Sequence, residues 1–173
     1  MKKSKAVLLI LSPIVIGILF NFLIIVPWLS TILMYVGPIF FMIYWGMVGG
    51  IFSEYMKNSF KATLLANLSG IISLAIYIWK FVVVSDDKRS MILAVLCQGF
   101  SAPLSNLTAR IGVLVENNPN EITMTTLLIA EIAGLLIMMT IFLIGFSMKK
   151  KQKRSLIFKV WSEELCLRRK KFF

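Results

Sequence analysis

The chain alternates long apolar stretches with short polar ones. Residues 6–53 contain no charged side chain. At about 1.5 Å per helical residue, this run is roughly twice as long as a bilayer core is thick, so the chain must cross, turn and cross again. Five apolar segments follow from the pattern, at about residues 6–26, 32–52, 62–84, 91–111 and 124–148. The pattern predicts a single helical membrane domain over residues 1–148 and a basic tail over residues 149–173.

The first apolar segment resembles a signal peptide only at its charged start. Its apolar stretch is longer than the roughly 7–15 residues of a signal peptide, and no small-residue cleavage pattern follows. We therefore expect it to remain in the protein as the first span. We expect Pro27 and the turn after it to end this span, with Trp28 as an anchor at the membrane interface. Gly37 and Pro38 are expected to kink the second segment near its start.

Small residues four positions apart occur in three of the segments. They are Gly46 and Gly50 in the second segment, Ala62, Ala66 and Gly70 in the third, and Ala130 and Gly134 in the last. Lipid gives helices no hydrophobic reason to associate, so close approach of two backbones at small residues matters more in a membrane. The spacing therefore predicts three helix-packing faces.

The fourth segment is unusually polar for an apolar stretch. Four of its residues share one face of a predicted helix, at spacings of three, four and three: Gln98, Ser101, Ser105 and Thr108. Asn106 and Arg110 form an adjoining stripe, and Gly99 and Pro103 are expected to bend or break the helix. Unpaired polar groups are costly in hydrocarbon, so this face is expected to turn inward. The face could provide hydrogen bonds between helices, line a solute or ion site, or belong to an interfacial amphipathic segment.

Glu131 lies about two turns inside the last segment, at a depth where an acid is expected to face the helix bundle. We expect it to form an ion pair with Arg110, while Lys80 extends to the membrane interface. Such a pair would either fix the register of two helices or mark a functional point.

Composition and charge favour one topology. The chain of 173 residues is 58% hydrophobic with a mean hydropathy of +0.86, whereas an ordinary soluble domain is roughly 45–50% apolar. The net charge is +11, and more than half of the basic residues lie in the tail. Positive residues favour the cytoplasmic side. Four crossings would place the N-terminus, the loop containing Lys57 and the tail together in the cytoplasm, whereas five would separate the two ends.

The sequence therefore predicts an all-α integral membrane protein of the plasma membrane, with both termini cytoplasmic. The predicted protein has four transmembrane helices plus a polar, Gly/Pro-interrupted fourth segment, which is expected to be either re-entrant or a fifth span. The tail is expected to lie on anionic lipid headgroups rather than on nucleic acid. The residues assigned to that lipid surface are Lys149, Lys150, Lys151, Lys153, Arg154 and Trp161.

No residue pattern indicates catalysis. The chain has no histidine, which excludes Ser–His and Cys–His catalysis. Cys97 and Cys166 lie far apart, and we expect no disulfide, metal site or cofactor. We therefore expect a small non-enzymatic multi-pass protein that acts as a subunit or modulator of a larger membrane assembly, bound to another membrane protein or to itself. The alternative is a self-contained oligomeric transporter or channel for a small solute or ion, using the polar fourth segment.

Overall fold

The structure is a computed structural model, and it describes residues 3–83, 93, 97–114 and 124–170. Every element that it defines in these residues is a helix, so the predicted all-helical class is confirmed for this part of the chain. The elements are α1 (Lys3–Leu23), α2 (Pro27–Tyr55), α3 (Ser59–Ala66), α4 (Leu68–Ile78), a π-helical turn (Trp79–Val83), a 3-10 turn (Ala102–Leu104), α5 (Ser105–Val113) and α6 (Met124–Lys170).

Three helices in the described residues are long and apolar enough to cross a membrane. They are α1, α2 and the part of α6 over Thr125–Lys153. Helices α3 and α4 meet this criterion only as a pair, and they are bent by 55° relative to each other. The structure therefore supports a membrane protein with three candidate spans, or four if the bent pair is one span.

Pro27 begins a helix, which corrects the expectation that it ends the first span. Helix α1 stops at Leu23, and Pro27 is the first residue of α2. This position suits proline because the first amide of a helix needs no intrahelical acceptor. Val26 is extended, with φ −81° and ψ 112°, as expected for a residue before proline. The side chain of Trp28 is 83% exposed, which leaves it available to the membrane interface.

Hydroxyl groups form hydrogen bonds to α1 beside its internal Pro13. Proline cannot donate to the carbonyl four residues before it, which here is that of Leu9. The Ser12 hydroxyl donates to this carbonyl at 2.7 Å, and the Tyr44 hydroxyl of α2 donates to Ser12 Oγ at 2.6 Å. Ser69 of α4 donates to the neighbouring Ile10 carbonyl at 2.9 Å. The opened turn of α1 therefore binds both α2 and α4.

Helices α2 and α6 approach so closely that their backbones touch. A Cβ atom at Gly49 would overlap the Phe142 carbonyl oxygen, and one at Gly145 would overlap the Gly46 carbonyl oxygen. Gly46 and Gly50, whose spacing predicted a packing face, lie on this side of α2. A Cβ at Gly50, however, would meet Lys149 Cβ at 3.7 Å, which is ordinary contact. The tightest positions are thus Gly49 and Gly145.

Aromatic and aliphatic side chains fill the interior between α2 and α6. The Trp45 ring is fully buried, and its centroid lies 6.0 Å from that of Phe142 and 6.5 Å from that of Phe100. Leu104 and Met138 have no exposed surface. By contrast, many apolar side chains on the outside of α1 and α2 are more than half exposed, as expected where lipid covers a helix. Examples are Leu8, Val15, Leu19, Phe40, Ile43 and Met47.

The third apolar segment, predicted as residues 62–84, bends at Asn67. This residue is fully buried, and its side-chain amide donates to the Thr63 carbonyl oxygen at 2.9 Å. The backbone amide of Asn67 donates to the same carbonyl at 3.0 Å. Asparagine competes with the backbone for hydrogen bonds in this way, which suits it to the junction between α3 and α4. Asn58 caps α3 by accepting from the amide of Phe60 at 3.0 Å.

Helix α6 is 47 residues long. At about 1.5 Å per residue this is about 70 Å, more than twice a bilayer core of about 30 Å. The helix runs without a break through residues 148 and 149, where the sequence pattern placed the start of the tail. The predicted division into a membrane domain and a tail stays a prediction, because no change of backbone conformation marks it.

Candidate functional site

The polar fourth segment turns inside the helix bundle rather than forming one helix. Residues 99–101 form a turn, which leads through the 3-10 turn into α5. A Cβ at Gly17 of α1 would overlap the Gly99 carbonyl oxygen, and a Cβ at Gly70 of α4 would overlap the Phe100 ring. The predicted break at Gly99 and Pro103 therefore coincides with a turn that α1 and α4 enclose.

Ser101 and Glu131 form the central polar contact of this region. The Ser101 hydroxyl donates to Glu131 Oε2 at 2.7 Å, and the Gln98 carbonyl oxygen lies 3.3 Å from the same hydroxyl. Ser101 is buried, at 5% exposure. A Cβ at Gly134 would lie 3.0 Å from Ser101 Cβ, so the glycine lets the turn approach α6 next to the acid. Glu131 thus faces protein, as its depth in the segment predicted.

Helix α5 runs antiparallel to the first part of α6. Thr108 Cγ2 would lie 3.7 Å from a Cβ at Gly134, and Thr126 Cγ2 would lie 2.7 Å from one at Gly112. The Thr108 hydroxyl donates within its own segment, to the Leu104 carbonyl oxygen at 3.3 Å. Thr108 therefore packs against α6 through its methyl group rather than through a hydrogen bond.

The predicted single inward face is divided in the structure. Ser101 and Thr108 are buried, Gln98 is half-buried, and Ser105 is exposed. The four residues do not share one helical face, because the turn at residues 99–101 and the 3-10 turn interrupt the helical periodicity before α5 begins at Ser105. Asn106, assigned to the adjoining stripe, instead donates from Nδ2 to the Met34 carbonyl oxygen of α2 at 2.9 Å.

The structure does not form the expected ion pair between Arg110 and Glu131. Among the described residues, the recorded hydrogen-bond partner of the Glu131 carboxylate is Ser101, and Arg110 is exposed in the last turn of α5. Ser101, which contacts Glu131, lies in the turn before the 3-10 turn, whereas Arg110 lies at the other end of the segment, in the last turn of α5. Lys80, the other candidate cation, lies with Nζ 4.9 Å from the centroid of Trp79.

The small residues predicted to pack helices are mostly buried. Ala62, Ala66, Gly70 and Gly134 are buried, and Ala130 is half-buried. Sequence spacing did not single out Gly17, Gly49, Gly112 or Gly145, although each lies against a neighbouring segment. The signal that could have found Gly17, Gly49 and Gly145 is a glycine inside an apolar segment, whatever its spacing from other small residues, whereas Gly112 lies one position beyond the fourth segment.

The basic residues at the end of the last apolar segment line a cleft of about 300 Å³, together with the end of α2. The lining residues are Ser53, Glu54, Lys149, Lys150, Gln152 and Lys153. Lys151 is exposed outside the cleft. The side chains of Arg154 and Trp161, which the sequence assigned to the lipid surface, lie outside those that the structure describes.

A second cavity, of about 280 Å³, lies between α1 and α2. Its lining is almost entirely apolar and includes Leu19, Phe20, Gly37 and Phe40. No group of three or more acidic or cysteine side chains placed to hold a metal ion occurs in the part of the chain that the structure describes. In the described part of the chain, the Ser101–Glu131 contact and the cleft lined by Lys149, Lys150 and Lys153, called the lysine cleft below, are the polar sites considered for function.

Comparison with known proteins does not assign the chain to a family. No family model, no curated protein and no solved structure matches the chain. The contacts, burial and charges of the described side chains are therefore the basis for a function.

Proposed function

We propose that α1, α2, the bent pair α3 and α4, and α6 each cross the plasma membrane, with both termini in the cytoplasm. The fourth segment then enters and leaves the membrane on the opposite face. Leu93, in the first part of the segment, and Leu127, near the start of α6, both pack against the buried cluster that Tyr77, near the end of α4, forms with Cys97. Gly112, at the other end of the segment, lies against Thr126. Both ends of the segment thus lie beside the start of α6, which supports a re-entrant course rather than a fifth crossing.

Within this topology, the protein is a non-enzymatic subunit or modulator of a larger membrane assembly. One observation carries this proposal: the interior between α2 and α6 is filled with side chains such as Trp45, Leu104 and Met138. A bundle with a filled interior acts through its outer faces, and those of α1 and α2 are apolar and exposed. In a membrane such faces can pack against another membrane protein or a second copy.

Mild solubilisation followed by affinity purification tests this function. A partner of different sequence, bound in fixed ratio, is the expected result. Its loss on Phe40→Ala or Ile43→Ala would locate the contact on α2, and Ile144→Ala, at a similarly exposed isoleucine of α6, serves as a matched control. A monomer that retains no partner across several mild detergents and on chemical crosslinking in intact membranes would contradict the proposal.

The alternative is an oligomeric channel or transporter for a small solute or ion. The observation that favours it is Glu131, an acid inside a candidate span that contacts a broken segment, since such residues often mark ion pathways. Two buried polar atoms, Trp45 Nε1 and Asn67 Oδ1, also lack a hydrogen-bond partner among the described residues. Flux through proteoliposomes that Glu131→Gln abolishes, while Ser105→Ala leaves it intact, would favour this function over the first.

A further inference from the structure

The lysine cleft lies where the apolar parts of two candidate spans end. Helix α2 ends at Tyr55, and the last apolar run of α6 ends at Met148, immediately before Lys149. A Cβ at Gly50 would lie 3.7 Å from Lys149 Cβ, so the two helices are still in contact at this level. In any bilayer that α2 and α6 both cross, this level is that of the phospholipid headgroups.

The cleft concentrates positive charge on one side of α6. Lys149 and Lys153 are four residues apart and Lys150 and Lys153 three apart, so the three side chains are neighbours on the helix surface. Like charges at such spacing repel each other, and no ion pair to Glu54 is recorded among the described side chains. The three ammonium groups therefore favour an anion between them.

Lys150 is held at the edge of the cleft by two contacts. Its Nζ donates to the Lys57 carbonyl oxygen at 3.1 Å, and it lies 5.8 Å from the centroid of the Phe146 ring. One of the three N–H groups of the ammonium is used by the carbonyl, and the others remain available to an acceptor. This arrangement reduces the freedom that a lysine would lose on binding a ligand.

We propose that the cleft binds the phosphate group of an anionic phospholipid from the leaflet that faces the tail. Lys149, Lys150 and Lys153 supply the positive charge, and the Gln152 amide supplies a neutral donor. The cleft volume of about 300 Å³ is at the lower end of the range typical of small-ligand pockets. Glu54 places one negative charge at the cleft and weakens binding of the anion. This site depends on α2 and α6 crossing the membrane, and not on the subunit or channel function.

Two neighbouring lysines, Lys151 and Lys153, distinguish a specific site in the cleft from a diffuse basic surface. A diffuse surface attracts anionic lipid through each lysine about equally, so Lys151 would matter as much as Lys153. In the cleft, Lys153 is a lining residue and Lys151 is not. Both side chains are exposed on the same helix and carry the same charge, which makes Lys151→Gln a matched control.

Native mass spectrometry of the full-length protein in detergent can count bound lipids, with phosphatidylglycerol and phosphatidylcholine as probes. We expect the first phosphatidylglycerol to bind at least about tenfold more tightly than phosphatidylcholine. Lys153→Gln should weaken it about fivefold or more, and Lys151→Gln about twofold or less. Glu54→Gln should tighten it, which keeps the test informative if a lysine variant folds poorly.

Three outcomes would overturn the assignment. Equal losses from Lys151→Gln and Lys153→Gln would indicate a diffuse surface. Equal binding of phosphatidylcholine would show that the negative charge of the lipid is not recognised. Displacement of the lipid by glycerol phosphate at equal concentration would identify the ligand as a soluble phosphate ester. Because none of these results depends on a protein partner or on flux, failure here leaves the proposed function untouched.

Discussion

Asn106 on α5 donates a hydrogen bond of 2.9 Å from its side-chain amide to the Met34 carbonyl oxygen on α2. Met34 stands four residues before Pro38, which has no N–H group to offer that carbonyl. A carbonyl without a donor is costly in apolar surroundings, so proline in a span requires a substitute from elsewhere in the protein. Asn106 is that substitute, and it ties the polar segment to α2.

This relationship predicts a coupling between residues 38 and 106. Asn106→Ala should lower the free energy of unfolding by about 1 kcal/mol in the native background, because the Met34 carbonyl loses its donor. In a Pro38→Ala background the loss should be close to zero, since the alanine amide restores the helical hydrogen bond. Unfolding of the purified protein by denaturing detergent measures both. Ser105→Ala, at an exposed neighbouring position, is the control, and equal losses in the two backgrounds would refute the coupling.

The contact between Ser101 and Glu131 predicts a second coupling. Ser101→Ala should cost about 0.6 kcal/mol and at most about 1.7 kcal/mol, the range for hydrogen bonds between helices in a membrane. The cost should persist with Glu131→Gln, whose amide oxygen still accepts, and vanish with Glu131→Leu, which has no acceptor. Thr108→Val is a suitable control because the Thr108 hydroxyl bonds within its own segment. An equal cost of Ser101→Ala with glutamate, glutamine or leucine at position 131 would contradict the contact.

The crossing of α2 and α6 predicts an unequal response among its glycines. Gly49→Ala and Gly145→Ala should each destabilise the protein by about 1–3 kcal/mol, because the added carbon would overlap the opposite backbone. Gly46→Ala and Gly50→Ala should cost much less, since their nearest neighbours would lie 3.8 Å and 3.7 Å away. Detergent unfolding of the four single variants provides the comparison. Greater damage at Gly46 and Gly50 would favour the packing face predicted from spacing alone.

Hydropathy predicted where the long helices occur, because apolar length follows directly from bilayer thickness. It did not predict how the segments begin, end or bend. Pro27 was expected to end a span, but the same missing amide that stops one helix suits the first position of the next. The third segment was expected to be one apolar stretch over residues 62–84, whereas it bends at Asn67 between α3 and α4.

The candidate site was predictable in depth but not in partners. The sequence placed Glu131 toward protein, and Gly99 and Pro103 at a break, because burial and backbone freedom are local properties. The partner of Glu131 depends on which residue of the broken fourth segment lies beside it on α6. Helical spacing does not predict this residue, because the turn at residues 99–101 and the 3-10 turn interrupt the helical periodicity. For the same reason Arg110, matched to Glu131 by charge, lies on the exposed side of α5.

Thiol labelling in intact cells tests the central claim, that four segments cross and the fourth is re-entrant. The probe is a membrane-impermeant maleimide, used on full-length proteins with Cys97→Ser and one reactive cysteine at a time: native Cys166, or Ser4→Cys or Leu114→Cys with Cys166→Ser. We predict that the Leu114 variant labels from outside, while the Ser4 variant and Cys166 label only after permeabilisation. Labelling of residue 4 and Cys166 from opposite sides would require an odd number of crossings and would contradict the account.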